Sequence, residues 1–480
     1  MYATDKGNIF VTVILLILKL YKMKKYKRKE ITVENNTIQT LIDEKKYFEI
    51  RKYLNELNTV EVSELLNQFE SSELIMIFRL LSKNRAADVF SYLDTEHQEM
   101  IINTMTDVET KNIFDELYFD DIVDIIEEMP SNVVKKILKN TDAKDRHTIN
   151  LLLKYPDNSA GSIMTTEYMD LKKDMKVSQA IAKIRNTVED MENVYTCYVI
   201  SEDRKLEGVI SLKELITNED DTVVGNIMNR NFVSVHTNDD QENVAEIIKK
   251  YNLIVLPVTD IENRLLGIIT IDDIMDVVEQ EATEDFHKMA GISPVEESYL
   301  KTSAFTMARQ RISWLIVLMI SATFTGRIIK SYEDVLESVV ILSSFIPMLM
   351  DTGGNAGAQS STIVIRALAL GEVNPRDIFK ILKKEFSISF IVAVVLAGIN
   401  YLRLMTLTKT PLNVALTVSI TLIFVVMISK IIGAFLPIVA KIFKMDPAIM
   451  AGPLITTILD ALTLSIYFKF ATIFLSNIIK

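Results

Sequence analysis

The sequence predicts a multidomain membrane protein with an all-α superhelical N-terminal domain, an α/β module and an all-α transmembrane domain of five helices. Apolar residues recur at helical spacing over about 37–156, a strand-and-helix unit is repeated within 163–278, and five apolar stretches follow residue 306. The charge divides in the same way: residues 31–300 carry 53 acidic and 27 basic side chains, whereas residues 301–480 carry 9 and 17. A chain of 480 residues is too long for one core, so each part is interpreted separately.

Residues 1–36 are predicted to be an N-terminal extension. Their apolar run, 9–18, is too short to span a membrane, and the basic cluster at 22–29 follows this run instead of preceding it. That order of charge argues against a secretory signal. We interpret the extension as peripheral or dispensable, with Met23 as a candidate internal start.

Residues 37–160 are predicted to form an acidic helical domain. Val62, Leu65 and Leu66 share one helical face, and Val123 and Ile126 share another. Strand-like alternation and glycine are both scarce here. Short amphipathic helices stacked into a small superhelix are therefore expected.

Residues 161–278 contain an internal repeat, in which 163–164 recur as 227–228 and 208–214 recur as 267–273. Each copy has a helix, a strand, a turn, a second strand and a closing helix, and the region resembles a tandem CBS pair. Such pairs often bind adenosine nucleotides. The resemblance implies that Asp273, in the pattern Thr270-x-x-Asp273, faces the ribose, so ATP is a candidate ligand. A structural module without a ligand is the alternative.

Residues 279–306 are predicted to be an acidic connecting helix between this module and the membrane domain at 307–480. The one cysteine, Cys197, excludes an internal disulfide framework and fits a reducing compartment. The four histidines lack metal-ligand spacing, and no phosphate-binding G-x-x-x-x-G-K-[ST] loop occurs. These absences count against a zinc hydrolase and an ATP-driven pump, and we expect no catalytic residue. The strongly acidic soluble part also argues against nucleic acid as a partner.

Five membrane spans are predicted, approximately at 312–329, 338–365, 386–404, 412–440 and 448–474. Basic residues cluster before the first span and in the loops that follow the second and fourth spans: Arg309, Arg311, Arg376, Lys380, Lys383, Lys384, Lys441 and Lys444. The positive-inside rule then places the soluble domains in the cytoplasm and the C-terminus outside the cell, in a multi-pass cytoplasmic-membrane protein surrounded by lipid.

Asp460 is interpreted as the one acid well inside an apolar span, with Thr456 and Thr457 on the same helical face. Pro453 leaves the carbonyl of Ile449 without a donor, and Pro347 is expected to break the second span in the same way. Two broken helices would then line one pathway. The alternative is that the small residues serve packing and that the threonines bond to their own helix.

Mg²⁺ suits such a site because it is hard, prefers oxygen ligands and keeps much of its water shell. A carboxylate ring with nearby carbonyl groups can hold it partly hydrated. The membrane potential would drive entry without ATP hydrolysis, because an inside-negative potential contributes about 2.3 kcal/mol per charge per 100 mV.

From about residue 37 to its end the chain resembles the MgtE family of Mg²⁺ channels. The resemblance rests on Gly353-Gly354-Asn355-Ala356-Gly357-Ala358-Gln359, Arg366-Ala367-Leu368-Ala369-Leu370-Gly371, Asp446-Pro447-Ala448, Gly452-Pro453 and Thr456-Thr457-Ile458-Leu459-Asp460, behind a CBS pair. It implies a homodimer with one central pore, in which Asp460 of both subunits forms the ion site, assisted by Asn355. No further obligatory protein partner is expected.

The resemblance also implies that cytosolic Mg²⁺ closes the pore by bridging the acidic helical domain, the CBS pair and the connecting helix. The regulatory acids would be Asp120, Asp124, Asp240, Asp273, Glu281, Glu284 and Asp285. Asn252 stands where the family often has an acid, which would weaken one bridging site. For each regulatory acid a solvated helix face is the alternative.

Two other function classes fit parts of this sequence. A CBS-bearing anion channel would need basic residues or helix N-termini at its ion site, where this sequence has an acid. A membrane sensor of Mg²⁺ or adenine nucleotide that transports nothing would keep the acidic half but would have no use for Asp460. Lys430, in the middle of the fourth span, has no assigned role.

Overall fold

A computed structural model describes residues 38–476, apart from 70, 189–190, 294–298 and 300–301. The predicted extension at 1–36, with its basic cluster and Met23, lies outside the described residues. The chain divides into two compact units, one ending at Val277 and the other beginning at Val278.

The first unit begins with a stack of ten short helices among the described residues. Two of them begin with side-chain caps: Asn58 and Glu61 cap α3 reciprocally, and Thr106 and Glu109 cap α7 in the same way. Inward-facing aliphatic and aromatic residues form one continuous core along the stack. The helices are α1 over 38–43, α2 Tyr47–Glu56, α3 Thr59–Leu66, α4 Ser71–Phe78, α5 Lys83–Ser91, α6 Thr95–Thr104, α7 Asp107–Phe114, α8 Phe119–Glu128, α9 Ser131–Asn140 and α10 Ala143–Leu152.

Two copies of an α/β unit follow, each with a three-stranded sheet. In each copy the first strand is parallel to the second, and the second is antiparallel to the third. The first copy has β1 Tyr168–Leu171, α11 Val177–Thr187, β2 Asn193–Ile200, β3 Leu206–Ser211 and α12 Leu212–Thr217. The short helix α13 Val224–Ile227 leads to β4 Val235–His236, α14 Gln241–Tyr251, β5 Val255–Thr259, β6 Leu265–Thr270 and α15 Ile271–Met289. The predicted internal repeat is confirmed.

Helix α15 begins in the first unit and ends in the second, which is otherwise a bundle of long helices. Its helices are α16 Ala304–Ser331, α17 Glu333–Ser338, α18 Ile346–Ala369, α19 Ile378–Thr406, α20 Leu412–Ile442 and α21 Gly452–Phe474. Short 3₁₀ turns precede three of them, at Val340–Phe345, Pro375–Asp377 and Pro447–Met450.

Four segments of the described chain are long and apolar enough to cross a membrane: Ala304–Ser331, Pro375–Thr406, Leu412–Ile442 and Pro447–Phe474. Helix α18 is not among them because its central residues are polar or small. Its 24 residues still give it a length of about 36 Å, which exceeds a hydrocarbon core of about 30 Å. It packs against α20 and α21. With α18 as the second span, the predicted transmembrane domain of five helices is confirmed.

Candidate functional site

The acidic residues of the first unit begin with the N-terminal turns of α8. Asp120 and Asp121 lie in its first turn, and Asp124 is one turn further along. Burial, followed by repulsion from Asp273 and Asp121, raises the pKa of Asp120 well above its usual value. Burial and Asp273 also raise the pKa of Asp121, to about 6. These carboxylates are held together although they repel each other.

The side chain of Asp124 reaches solvent, but the surrounding protein and the nearby charges of Asp121 and Glu127 raise its pKa to about 7. Asp273 lies at the start of α15, where its Oδ2 accepts hydrogen bonds from Thr270 Oγ1 at 2.5 Å and from the Thr270 backbone N–H at 3.3 Å. Burial raises the pKa of Asp273 to about 6 despite those bonds. Asp273 therefore acts electrostatically on both Asp120 and Asp124, two acids predicted with it as regulatory ligands.

Two further acids, Glu167 and Glu192, belong to the same cluster and were missed in the sequence. Glu167 Oε2 accepts from the Phe119 backbone N–H at 2.9 Å, and burial raises its pKa to about 7. Burial, followed by Asp273, raises the pKa of Glu192 to about 8. Within the described chain, Glu192 Oε2 is buried and accepts no hydrogen bond. No sequence motif marks either glutamate, because each joins the cluster only through residues distant in the sequence: Glu167 contacts Phe119 of α8, and Glu192 lies near Asp273.

We call Asp120, Asp121, Asp124, Glu167, Glu192 and Asp273 the acid cluster. None of them forms an ion pair with Lys or Arg among the residues the structure describes. In this part of the chain no group of three or more His, Cys, Asp or Glu side chains is arranged to hold a metal ion. The carboxylates would have to move to share one. Protons or a divalent cation are what can relieve their repulsion.

The fourth acid predicted for the soluble part, Asp240, does not belong to this cluster. Its carboxylate caps α14 by accepting from the Glu242 backbone N–H at 2.9 Å. At the other end of α14, Asn252 adopts a left-handed conformation with φ 52°. Asparagine is among the residues that tolerate this conformation best, which gives a conformational reason for Asn at this position.

The predicted acids of the connecting helix lie near the end of α15. Lys288 Nζ contacts Glu284 Oε1 and Asp446 Oδ2, both at 2.7 Å, so it links this helix to the loop before α21. Burial lowers the pKa of Lys288, but the hydrogen bonds to Asp446 and Glu284 outweigh it and raise that pKa above its usual value. Burial and the charge of Asp446 raise the pKa of Asp285. Glu281 precedes Asp285 by one turn.

One open cavity of about 520 Å³ lies in the CBS pair, beside the first copy of the repeated motif. It is lined by Tyr195, Thr196, Ser211, Leu212, Lys213, Ile216, Thr217 and Ile254. Its size fits a small molecule. The predicted nucleotide residues Thr270 and Asp273 belong to the second copy, do not line this cavity, and bond to each other.

In the second unit, both prolines of the predicted pathway lie in the first turn of a helix, Pro347 in α18 and Pro453 in α21. The prediction of two broken helices was therefore wrong. A proline in the first turn removes no helical hydrogen bond, because those N–H groups have no intrahelical acceptor. Thr456 Oγ1 and Thr457 Oγ1 each donate to the Pro453 carbonyl at 2.9 Å, as the packing alternative expected.

Asp460 is half-buried on α21, and the glycine-rich stretch of α18 lies against that helix. A Cβ added to Gly354 would lie 3.2 Å from Thr456 Cγ2, and one added to Gly357 would lie 2.1 Å from Leu459 Cδ1. These glycines therefore allow the two helices to approach closely.

Asp460 is not the only acid of the bundle, which corrects the interpretation of the sequence. Asp351, in α18, acts electrostatically on Asp460 and accepts a hydrogen bond from Asn355 Nδ2 at 3.0 Å. The missed signal was the i, i+4 spacing of Asp351 and Asn355 on one helix face. Glu385, on α19, is buried and accepts from Ser360 Oγ at 2.7 Å.

Lys430 is buried in α20, with 5% of its surface exposed, and its Nζ donates to Gln359 Oε1 at 3.4 Å. Gln359 belongs to the glycine-rich stretch of α18. Lys430 therefore faces α18 inside the bundle and not lipid.

Comparison with known proteins gives matches over most of the chain. The family model MgtE, a divalent cation transporter, matches residues 346–470; the MgtE intracellular N domain matches 34–158; and the CBS domain matches 160–220 and 224–280. The magnesium transporter MgtE of Thermus thermophilus is 32% identical over 89% of this chain and 96% of its own length. The chain belongs to the MgtE family.

The magnesium transporter MgtE of Bacillus subtilis is 31% identical over 91% of this chain and 96% of its own length. Among solved structures, the soluble part of a magnesium transporter matches with a TM-score of 0.50 and 31% identity, covering 52% of this chain and 99% of that one. The predicted family is thus confirmed, and with it a multi-pass membrane protein whose soluble domains precede the membrane helices.

Proposed function

We propose that this MgtE protein is a Mg²⁺-selective channel that lets Mg²⁺ enter the cell passively across the cytoplasmic membrane. The observation that carries the proposal is the polar group of Asp460, Asn355 and Asp351 within a bundle of apolar helices. Carboxylates in a membrane bundle are costly unless they serve an ion path. Both curated relatives bear the name magnesium transporter, which supports transport rather than catalysis.

The pore site would be Asp460, with Asn355 contributing an amide carbonyl and Thr456 and Thr457 contributing hydroxyl oxygens. Mg²⁺ keeps several waters, so few protein ligands suffice. The two hydroxyls donate to the Pro453 carbonyl, which leaves their oxygen lone pairs as the acceptors available to an ion or its waters. The membrane potential supplies the driving force, and no nucleotide needs to be hydrolysed.

Cytosolic Mg²⁺ would close the pore by binding acids of the helical domain, the CBS pair and the connecting helix. The acid cluster supports this gating because its carboxylates have raised pKa values and no basic partner among the described residues. Mg²⁺ would neutralise the cluster and hold its elements together. When Mg²⁺ is scarce, repulsion would separate them and favour the open state. Asp240, Glu281, Glu284 and Asp285 remain proposed ligands.

The assembly proposed is a homodimer in which both copies of Asp460 face one pore, with the soluble domains in the cytosol and the C-terminus outside. The basic residues before the first span and in the loops after the second and fourth spans support this orientation. The domains proposed are the helical domain 37–160, the CBS pair 161–278, the connecting helix 279–306 and the pore domain 307–480. ATP is a second proposed ligand of the CBS pair, supported by the cavity beside Ser211 and Lys213.

The test is uptake of Mg²⁺ in a host that lacks its own Mg²⁺ uptake systems. The unmodified chain should restore growth at low Mg²⁺, and Asp460→Ala, expressed in the membrane at the same level, should not. Retained uptake by Asp460→Ala would count against the pore site. Absence of uptake by the unmodified chain, in the presence of Mg²⁺ binding to the purified protein, would favour a sensor that transports nothing.

A further inference from the structure

The ion path proposed above has a second acidic residue that neither the sequence analysis nor the comparisons assign. Asp351 lies one helical turn before Asn355 on α18, and both side chains are exposed in the single chain. Asn355 Nδ2 donates to Asp351 Oδ1 at 3.0 Å. Asp351 is also the charged group that acts on Asp460 across the interface between α18 and α21. We call Asp351, Asn355 and Asp460 the polar line: the first two are hydrogen-bonded on α18, and Asp351 acts electrostatically on Asp460 of α21.

The packing of α18 explains why this line is fixed in place. Gly353, Gly354 and Gly357 occupy the face that lies against α20 and α21, where a Cβ at Gly353 would come within 2.7 Å of Thr463 Oγ1. The inward face of α18 is thus reserved for close packing. Asp351 and Asn355 are exposed, so they lie off that face.

The surroundings of Asp351 do not neutralise it. Within the described residues it pairs with no Lys or Arg, and its one hydrogen-bond donor is the amide of Asn355. A carboxylate in a membrane domain with no basic partner requires water or a cation beside it. The hydrogen bond that the Asn355 amide donates to Asp351 also fixes the side-chain orientation of Asn355. Its carbonyl oxygen therefore lies on the side away from Asp351.

Resting on the proposed transport of Mg²⁺, we propose that Asp351 is a specificity-determining residue of the ion path: it holds a hydrated divalent cation at an outer station before the ion moves to Asp460. In the proposed topology α18 enters the membrane from outside the cell, so Asp351, five residues after its start, precedes Asp460 on the way in. A hydrated divalent ion is attracted twice as strongly as a monovalent ion by each carboxylate. The Asn355 carbonyl oxygen contacts the ion as it passes from Asp351 to Asp460.

The test uses the full chain in proteoliposomes, with Mg²⁺ flux measured against external Mg²⁺ and with hexaamminecobalt(III) as a blocker that mimics hydrated Mg²⁺ but cannot shed its ligands. Asp351→Asn should raise the half-saturating Mg²⁺ concentration and the blocking concentration of hexaamminecobalt(III) about five- to tenfold, with a maximal flux within about twofold of the unmodified chain. Asp351→Glu keeps the charge and should stay within about twofold in all three quantities. Should Asp351→Asn not fold, the same criteria apply to Asp351→Ser.

The matched control is Glu337→Gln, which removes one exposed negative charge from α17 without touching the polar line. It should change neither concentration. The inference is overturned if Asp351→Asn behaves like the unmodified chain, or if Glu337→Gln shifts both concentrations equally, since a general surface charge would then explain the effect. Failure of the proposed function looks different, because the unmodified chain would then carry no Mg²⁺ at all.

Discussion

The raised pKa values in the acid cluster predict that Mg²⁺ binding to the soluble domains competes with protons near neutral pH. Mg²⁺ binds ionised carboxylates, so each carboxylate that is protonated must first lose its proton. Asp124 has a pKa of about 7 and Asp273 one of about 6. An ordinary aspartate, with a pKa near 3.9, would be fully ionised throughout this range and would give no such competition.

The magnitude follows from these two values. A group with a pKa of about 7 is about one-tenth ionised at pH 6 and about nine-tenths ionised at pH 8. Protonation of this group alone therefore makes apparent Mg²⁺ binding about tenfold weaker at pH 6 than at pH 8. A group with a pKa of about 6 contributes a further factor of about two. An ion that bridges Asp124 and Asp273 should therefore bind about 20-fold more weakly at pH 6 than at pH 8.

Rising pH should strengthen Mg²⁺ binding but should lower the stability of the metal-free protein. A carboxylate whose folded pKa is raised binds more protons in the folded than in the unfolded state between those two pKa values. Stability is therefore lost as the pH rises from about 4 towards 8, through the pKa of about 6 of Asp121 and the pKa of about 8 of Glu192. Without Mg²⁺, the acid cluster should hold together best at the acidic end of this window.

The assay is calorimetric titration of Mg²⁺ into the purified full chain carrying Asp460→Ala, which removes the carboxylate of the proposed pore site from the titration. Asp124→Asn should reduce the difference between pH 6 and pH 8 to about twofold. Asp240→Asn is the matched control, because Asp240 caps α14 outside the acid cluster, and it should leave the pH dependence intact. An affinity that changes less than about twofold between pH 6 and pH 8 in the Asp460→Ala protein would refute the reasoning.

Two further predictions concern the second unit. Gly433→Ala should destabilise the bundle by about 1–3 kcal/mol, because its Cβ would lie 2.3 Å from the carbonyl oxygen of Gly357. Thermal unfolding in detergent measures this loss. The control is Gly398→Ala, whose Cβ would have no atom within 4 Å and which should cost far less stability. Lys288→Met should raise the internal Mg²⁺ concentration needed to close the pore about three- to tenfold, because it leaves Asp446 without its ion pair. Flux assays at varied internal Mg²⁺ measure this concentration. Closure at the same concentration as in the unmodified chain would contradict a role for that pair.

The predictable part of the fold was the part encoded locally. Helical spacing, capping residues and the repeated motif lie within short windows, so the helical stack, the two α/β copies and the long membrane helices were all predicted from the sequence. The prolines show where local reasoning fails. Pro347 and Pro453 were read as breaks because the apolar runs extend upstream of them, but each run contains a 3₁₀ turn before its helix begins.

The site residues also divide into those marked by local sequence and those brought together by long-range contacts. Asp460 and Asn355 could be predicted because a polar residue within an apolar run is unusual in itself. Glu167 and Glu192 could not, because they join the acid cluster through contacts between parts of the chain that are 48 residues apart in the case of Glu167 and Phe119. Whether an acid on a helix binds an ion or merely faces solvent depends on such contacts. Asp240, for example, lies outside the acid cluster, with its carboxylate engaged as a helix cap.

The two faces of α18 account for much of what the pore domain needs. One face has glycine where α20 and α21 come close, and the other carries Asp351 and Asn355. A larger residue at Gly357 would meet Leu459 and would move α18, with Asp351 and Asn355, away from α21 without touching a proposed ion ligand. Close packing and ion selectivity are therefore coupled in this helix. Substitutions at Gly354 or Gly357 should consequently impair selectivity among divalent cations before they abolish folding, in proportion to how far they separate α18 from α21.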